Sequence, residues 1–361
     1  MKRSHFALTP LQLYIVGFTL VISGTVILTN ALKITLFPFF AILIGTVFAL
    51  PVGFLLGAAG SITGGRPLRE ALTLAVGKPI AVTISVFVSL FSLVAAAGLL
   101  QFMTGLVNLL SVVSFPSFIT IASVLLVAGY GVHCGFDALG RFSLFGVPLL
   151  LAGLVLLNIL SSSQFDFRYL LPMVPDWSSL FDGAAVTLLI PFTLPILLIN
   201  LTGSFPKGKK STKPLVLSFA TGGVFLALVA LRDVLVLGSP TVSAAAYPTI
   251  AALSVLRIDS VLERIDAIIC AAYFIFMMVA LIACLCSAVE GFASLTPRIR
   301  RPVWTWGLCA VLFVLLFWVR PAPLLNLSVI LHLRYLLLAV FLLIPAACFG
   351  CLFYGRRKGR L

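Results

Sequence analysis

Ten apolar runs follow one another along this 361-residue sequence, and each is about as long as a helix that crosses a lipid bilayer. They cover 11–32, 35–58, 80–108, 115–134, 142–161, 183–203, 214–236, 264–289, 302–320 and 326–353. The longest stretches between them, 59–79, 162–182 and 237–263, leave no room for a soluble enzymatic domain. Since the mean hydropathy is +1.23, most of these helices have no polar face to offer water. We therefore predict an all-α integral membrane protein in the lipid bilayer, with ten transmembrane helices (spans 1 to 10) in a single membrane domain, 1–361.

The distribution of positive charge predicts the orientation of these spans, because Lys and Arg collect in the cytoplasmic segments of membrane proteins. With the N-terminus in the cytoplasm, 17 of the 24 Lys and Arg residues fall on the cytoplasmic side. The first run resembles a secretory signal, but it lacks a small-residue cleavage site and nine spans follow it, so we expect a retained helix. Both termini are therefore predicted to be cytoplasmic. The net charge of +14 is explained by this topology and by anionic lipid headgroups, and no nucleic-acid partner is expected.

Two spans carry residues that interrupt a helix near the middle of the bilayer. In span 1, Gly24 stands between the hydroxyl residues Ser23 and Thr25, and in span 6 Pro191 and Pro195 each remove a backbone donor. Breaks at positions 1 and 6 of ten predict a 5+5 inverted repeat, as in many secondary transporters. The repeats would cover about 10–161 and 183–353, with 162–182 and 237–263 as outer segments. Unpaired backbone groups at such breaks can hold a small polar ligand, whereas the alternative is two packing kinks without function.

Other motif-like strings do not support catalysis. The stretch 203–210 nearly spells a phosphate-binding loop, but Lys210 stands where Ser or Thr should hold magnesium. The glycines of 129–135 have the wrong spacing for a dinucleotide fingerprint. The seven cysteines lie within or at the ends of apolar spans, where free Cys behaves as a small hydrophobe, and the three histidines are scattered. We predict no cofactor, no metal site and no catalytic residue, so a membrane-embedded enzyme is the weakest of three functional alternatives.

Several motifs along the chain resemble those of one family, the membrane-permease (B) subunits of spore germinant receptors. This family is a branch of the amino acid, polyamine and organocation transporter superfamily, and the resemblance covers nearly the whole chain. The motifs are Thr9-Pro-Leu-Gln12, Ile22-Ser-Gly24-Thr25-Val-Ile-Leu28, Gly135-Phe-Asp-Ala-Leu-Gly-Arg141, the segment 166–172, Pro191-Phe192, and Tyr247-Pro248-Thr249 leading into the charged stretch 257–266. The last is the most specific, because it is close to the family's aromatic-Pro, Arg and Glu-Arg signature before span 8.

The resemblance implies a role and partners. It implies a protein of the inner membrane of a dormant spore that senses a small nutrient such as an amino acid, together with an A subunit and a lipoprotein C subunit. A transporter of amino acids or related solutes on the same scaffold is the second alternative. One departure concerns Leu194, which stands where the family commonly has Glu, so that a carboxylate able to bind a cation or a proton is missing.

We expect the nutrient to occupy a cavity between spans 1, 3, 6 and 8, with backbone groups near Gly24 and Phe192 receiving its polar ends. The predicted ligand-binding residues are Ser23, Gly24, Thr25, Pro191, Phe192, Thr193 and, in span 8, Tyr273.

A cluster of charges before span 8 stands out in a chain with only 9% charged residues. It consists of Arg257, Asp259, Glu263, Arg264 and Asp266. If this stretch is helical, its three acids share one stripe, so the stripe needs cations from elsewhere. The candidates within the chain are Arg168, Arg232, Arg320 and Arg334. We predict that the cluster is an outer lid or a docking element, with Arg141 as a further structural charge, and the alternative is a solvated helix.

Overall fold

The computed structural model describes residues 8–25, 27–28, 35, 37–110, 116–170, 177–206, 210–245, 247–255, 265–296, 298–318 and 327–359. In these residues the secondary structure is helical throughout, without a strand. The helices of spans 1 to 5 cover Pro10–Ser23, Pro38–Thr63, Lys78–Leu110, Ser117–Cys134 and Phe136–Leu160. Span 6 is divided into Trp177–Leu189, a single turn Thr193–Ile196 and a 3-10 stretch Leu197–Ser204. Spans 7 to 10 cover Thr212–Leu237, Ile265–Leu295, Arg301–Trp318 and Leu327–Arg357.

These helices confirm the predicted all-α membrane fold. Within the described residues, eight helical segments are long and apolar enough to cross a membrane, and they are those of spans 2 to 9. The first helical piece of span 1 is shorter, because it ends at Ser23. Helical residues follow the turn at Gly24, as the bond from the Leu28 N–H to the Gly24 carbonyl shows (2.8 Å). We call the face at which the odd-numbered spans end the outer face and the opposite one the inner face.

Short helices that hydropathy did not predict occupy the connections. Leu68–Val76 lies between spans 2 and 3 and buries Leu68 and Leu72 on one side. It begins after Gly64, whose φ of +61° ends span 2 in the left-handed region that glycine adopts without strain. On the outer face, Ser239–Ala244 and Pro248–Ser254 connect spans 7 and 8, and the second begins with a proline at its first position.

The packing of the spans follows the pseudo-symmetry that an inverted repeat requires. Span 1 packs on span 7 and span 6 on span 2, while spans 2 and 7, 3 and 8, and 4 and 9 pack on each other. Replacing each span by the one five positions away maps this set of contacts onto itself. The structure therefore has the 5+5 arrangement, with the two broken helices in equivalent positions.

The same contacts divide eight spans into two groups. Spans 1, 2, 6 and 7 form what we call the bundle, and spans 3, 4, 8 and 9 form the scaffold. The smaller apolar core lies mostly inside the bundle and includes Ile42, Phe192 and Phe219. Large apolar side chains such as Phe145 and Trp318 are exposed on the outside of the molecule, as expected of a surface that faces lipid.

Candidate functional site at the two helix breaks

The break in span 1 follows directly from its local sequence. The helix starts with a capping box, in which the Thr9 hydroxyl accepts a hydrogen bond from the Gln12 N–H and the Gln12 side chain accepts one from the Thr9 N–H. The helix is interrupted at Gly24, which forms a turn, and Thr25, Ile27 and Leu28 are helical again. The Ser23 hydroxyl donates to the Leu20 carbonyl (2.7 Å), and the Thr25 hydroxyl donates to the Ile22 carbonyl (2.5 Å). Both hydroxyl protons are donated to carbonyls of the helical piece before the break, so these oxygens can only accept hydrogen bonds from a ligand.

The break in span 6 is larger. Residues 190–192 form a turn between two helical pieces, because neither Pro191 nor Pro195 can donate a backbone hydrogen bond. The Thr193 hydroxyl reaches back across the turn to the Leu188 carbonyl at 3.4 Å. Beyond the turn, the tight 3-10 geometry of Leu197–Ser204 replaces the ordinary α-helix.

The two breaks lie against each other. A Cβ atom placed on Gly24 would lie 2.9 Å from Pro191 Cα and 3.0 Å from Pro191 Cβ. Only a glycine allows this approach, which brings the predicted residues of span 1 and span 6 to one place. The pseudo-symmetry of the fold accounts for the meeting, since the two breaks occupy equivalent positions in the two repeats.

In this structure the site is closed. The side chains of Ser23, Thr25, Phe192, Thr193 and Tyr273 are at most 7% exposed. A ligand can reach the breaks only after the surrounding helices have moved apart.

The two aromatic side chains predicted for the site have different surroundings. The Phe192 ring stacks on Phe219 of span 7 at a centroid distance of 5.4 Å, inside the core of the bundle. Tyr273 of span 8 belongs to the larger core and lies edge-on to Phe276 at 6.4 Å. It is also within electrostatic reach of Arg232 and Asp233 of span 7. Tyr273 thus belongs to the outer half of the scaffold.

A cluster of buried charges lies near the outer end of span 7. From the sequence, Arg232 was predicted only as one of several outer cations, and its pairing with Asp233 was not predicted. Arg232 and Asp233 are 3% and 1% exposed and form an ion pair, with Arg232 Nε 3.0 Å from Asp233 Oδ1. The Thr249 hydroxyl donates to Asp233 Oδ2 at 2.7 Å, and Arg232 Nη2 donates to the Thr249 carbonyl at 3.3 Å. The sequence did contain a signal, an Arg-Asp pair inside an apolar run. Charged residues within membrane spans are rare and are usually functional.

A second polar cluster, also missed, joins span 6 to the scaffold near the inner face. The Asn200 amide donates to the Ser89 hydroxyl and to the Ser287 carbonyl, both at 3.2 Å. Ser92 and Ser287 exchange a hydrogen bond of 2.8 Å beside it. The Oδ1 atom of Asn200 is buried without a hydrogen-bond partner among the described residues. A small cavity of about 200 Å³, lined in part by Asn200 and Glu290, adjoins the cluster.

The predicted charge cluster before span 8 falls largely outside the described residues. This applies to Arg257, Asp259, Glu263 and Arg264, and to the side chain of Asp266 at the start of the span 8 helix. Its role as a lid or docking element stays a prediction. Arg141 lies in the first turns of span 5 with an exposed side chain. In the part of the chain that the structure describes, no three His, Cys, Asp or Glu side chains form a group that could hold a metal ion.

Comparisons with known proteins agree with this fold. A family model described as "Spore germination protein" matches residues 7–323. No curated protein matches the chain.

Among solved structures, the chain is similar to Mhp1, a nucleobase-cation-symport-1 family transporter in a closed conformation with bromovinylhydantoin bound. The TM-score is 0.64 at 14% identity, over 95% of this chain and 78% of that one. It is also similar to a mutant of the manganese transporter of Eremococcus coleocola, with a TM-score of 0.58 at 11% identity, over 94% of this chain and 78% of that one. At these identities the likeness shows the fold alone.

Proposed function

Because this chain belongs to the spore germination protein family, we propose that it is the membrane subunit of a nutrient germinant receptor. It binds a small nutrient such as an amino acid at the two helix breaks and thereby triggers germination. Its partners are the A and C subunits of the receptor, and it resides in the inner membrane of the spore with both termini in the cytoplasm.

The observation that carries this proposal is the contact of Gly24 with Pro191, which brings two interrupted backbones together inside the protein. Interrupted helices at membrane depth present backbone N–H and C=O groups that no helix uses. An amino acid carries donors and acceptors of its own and can pair with such groups without requiring a charged side chain. The hydroxyl oxygens of Ser23 and Thr25 add two acceptors next to the break.

Signalling follows from the closed geometry. A ligand shifts the protein only if it binds one arrangement of bundle and scaffold better than the other. Since the site is closed in the present structure, binding requires that the two groups separate and then close again around the nutrient. That rearrangement is passed to the A and C subunits.

Leu194 occupies the place where the family commonly has Glu, and it is buried. An apolar side chain there neither binds a proton nor attracts a cationic ligand. The proposal therefore favours a nutrient without net positive charge over a polyamine or a basic amino acid.

A direct test uses spores that lack this chain. Such spores are exposed to a panel of amino acids and other small nutrients, and germination is measured with and without restoration of the wild-type chain. The proposal requires that at least one nutrient response is lost and then restored. Unchanged responses to every nutrient that germinates wild-type spores would refute it.

The fold similarity to two transporters favours net transport as the second candidate function. Uptake of the identified nutrient by the purified chain in liposomes separates the two. A receptor subunit gives binding without accumulation, whereas a secondary transporter accumulates the nutrient when a proton or sodium gradient is applied.

A further inference from the structure

The Arg232–Asp233 pair is buried inside the protein, where a charge is energetically costly. The residues that surround the pair therefore indicate what it does. Both residues lie on span 7, in the bundle, and each is at most 3% exposed. Two buried charges are tolerated when they are paired and their remaining hydrogen-bonding positions are filled. Thr249, in the outer connection between spans 7 and 8, occupies some of these positions with its hydroxyl and its carbonyl.

The helix Pro248–Ser254 that carries Thr249 is held by both groups of helices. Thr249 binds span 7 of the bundle, and the helix also packs on span 8 of the scaffold. Tyr247, which directly precedes this helix, adds a second scaffold contact. Its hydroxyl lies 2.8 Å from the Cβ position of Gly105 in span 3. Burial raises the pKa of the Tyr247 phenol. The 248–254 helix therefore bridges the outer ends of the two groups that must separate for a ligand to enter.

We propose that Arg232 and Asp233 are positioning residues, which hold the 248–254 helix through Thr249 and so keep the outer face closed. Opening breaks the hydrogen bonds that Thr249 makes to Asp233 and Arg232 and leaves the ion pair intact, because both charges lie next to each other on span 7. No unpaired charge is created, so detachment costs these hydrogen bonds and the packing of the helix, but does not require an ion pair to separate. The neutral side chain of Thr249 is suited to this reversible contact, whereas a charged residue there would leave a buried charge behind.

Cys270 is a native reporter of this opening. It lies near the outer end of span 8, is 1% exposed, and belongs to the same buried cluster as Ile250 and Leu253 of the 248–254 helix. Cys284, on the same span but nearer the inner face, is equally buried and reports general loosening of the protein. The modification rate of each cysteine can be followed by mass spectrometry of the full chain in sealed vesicles treated with a membrane-impermeant maleimide.

The test compares three single variants. Thr249→Val keeps the shape of the side chain and removes its hydroxyl, whereas Thr249→Ser keeps the hydroxyl. Thr187→Val removes a buried hydroxyl that, among the described residues, bonds only to Gly183 of its own helix. Losing one such hydrogen bond changes an opening equilibrium by about three- to ten-fold. We expect Cys270 to react faster by that factor in Thr249→Val, with Thr249→Ser and Thr187→Val like the wild type and Cys284 unchanged throughout.

An unchanged modification rate of Cys270 in Thr249→Val would overturn the proposal. An equal rise of the Cys270 rate in Thr187→Val would also overturn it, as would a parallel rise of the Cys284 rate in Thr249→Val. If Thr249→Val does not accumulate in the membrane, the paired replacement of Arg232→Met with Asp233→Leu removes the acceptor without leaving a lone charge. It should raise the Cys270 rate in the same way, and an unchanged rate would count against the proposal. The assay contains no nutrient, so its result is independent of the proposed receptor function.

Discussion

Gly24 and Pro191 are separated by 166 residues along the chain, yet a Cβ atom on the first would lie 2.9 Å from the Cα atom of the second. The contact joins the interruptions of spans 1 and 6 backbone to backbone. It has two consequences: the two breaks lie at one place in the protein, and any side chain at position 24 must push the two helices apart. The bundle contains both spans, so such a shift would occur inside the bundle.

Gly24→Ala is therefore expected to disturb the structure as well as the site. Overpacking of this kind typically lowers the free energy of unfolding by about 1–3 kcal/mol. Thermal unfolding of the purified protein measures the effect. Gly153→Ala is the matched control, because a Cβ there meets nothing within 4 Å in span 5. Equal melting temperatures for the two variants would contradict the observed contact.

Gly291 of span 8 predicts a second steric effect, near the inner face. A Cβ atom there would overlap the Ser89 hydroxyl oxygen and lie 3.0 Å from Ser89 Cβ. Gly291→Ala should thus separate spans 3 and 8 and lower the melting temperature, whereas Gly307→Ala in span 9, where nothing lies within 4 Å, should not. Adding Ser89→Ala to Gly291→Ala should recover part of the loss, since it removes the atom in closest conflict. A lack of any recovery would place the strain elsewhere.

The hydrogen bond between Asn200 and Ser89 should couple the bundle to the scaffold. A double-mutant cycle with Asn200→Leu and Ser89→Ala is expected to give a coupling energy of about 0.5–1.5 kcal/mol in thermal unfolding. Thr19→Val is the control partner, because the Thr19 hydroxyl bonds only to the Ile15 carbonyl of its own helix. Its cycle with Asn200→Leu should be additive. Additivity in both cycles would mean that the Asn200–Ser89 hydrogen bond does not hold the two groups together.

The orientation of the chain can be tested with a native cysteine. Cys134 ends span 4 at the inner face and is exposed. If the termini are cytoplasmic, a membrane-impermeant thiol reagent should modify Cys134 in inside-out vesicles and leave it unmodified in intact cells. The reverse pattern would invert the predicted topology.

Hydropathy and helix-breaking residues were sufficient to predict the spans and their two interruptions. A run of about 20 apolar residues has few alternatives to a membrane helix, and Pro191 with Pro195 cannot continue one. The ends of helices were less accurate: span 3 was predicted as 80–108 and covers Lys78–Leu110, and span 8 was predicted to end at 289 and ends at Leu295. Polar residues within these last turns do not stop a helix whose backbone bonds are already formed.

What the sequence could not provide is the pairing of distant residues. Arg232 was counted by charge alone, and charge does not tell whether its nearest partner is Asp233 beside it or an acid in another segment. Asn200 is a single amide in an apolar run, and its two acceptors lie 111 and 87 residues away. Such contacts depend on how the spans pack, which hydropathy does not encode.

In the proposed receptor, the interrupted backbone of span 6 binds the nutrient. The most direct test is equilibrium binding of the radiolabelled germinant to the purified chain, comparing the wild type with the double variant Pro191→Ala and Pro195→Ala. Alanine restores the missing backbone donors and permits a continuous helix, so the variant should unfold at the same temperature as the wild type or higher. We expect the affinity of the variant for the nutrient to fall at least about ten-fold. Wild-type affinity in a variant that is folded would contradict it.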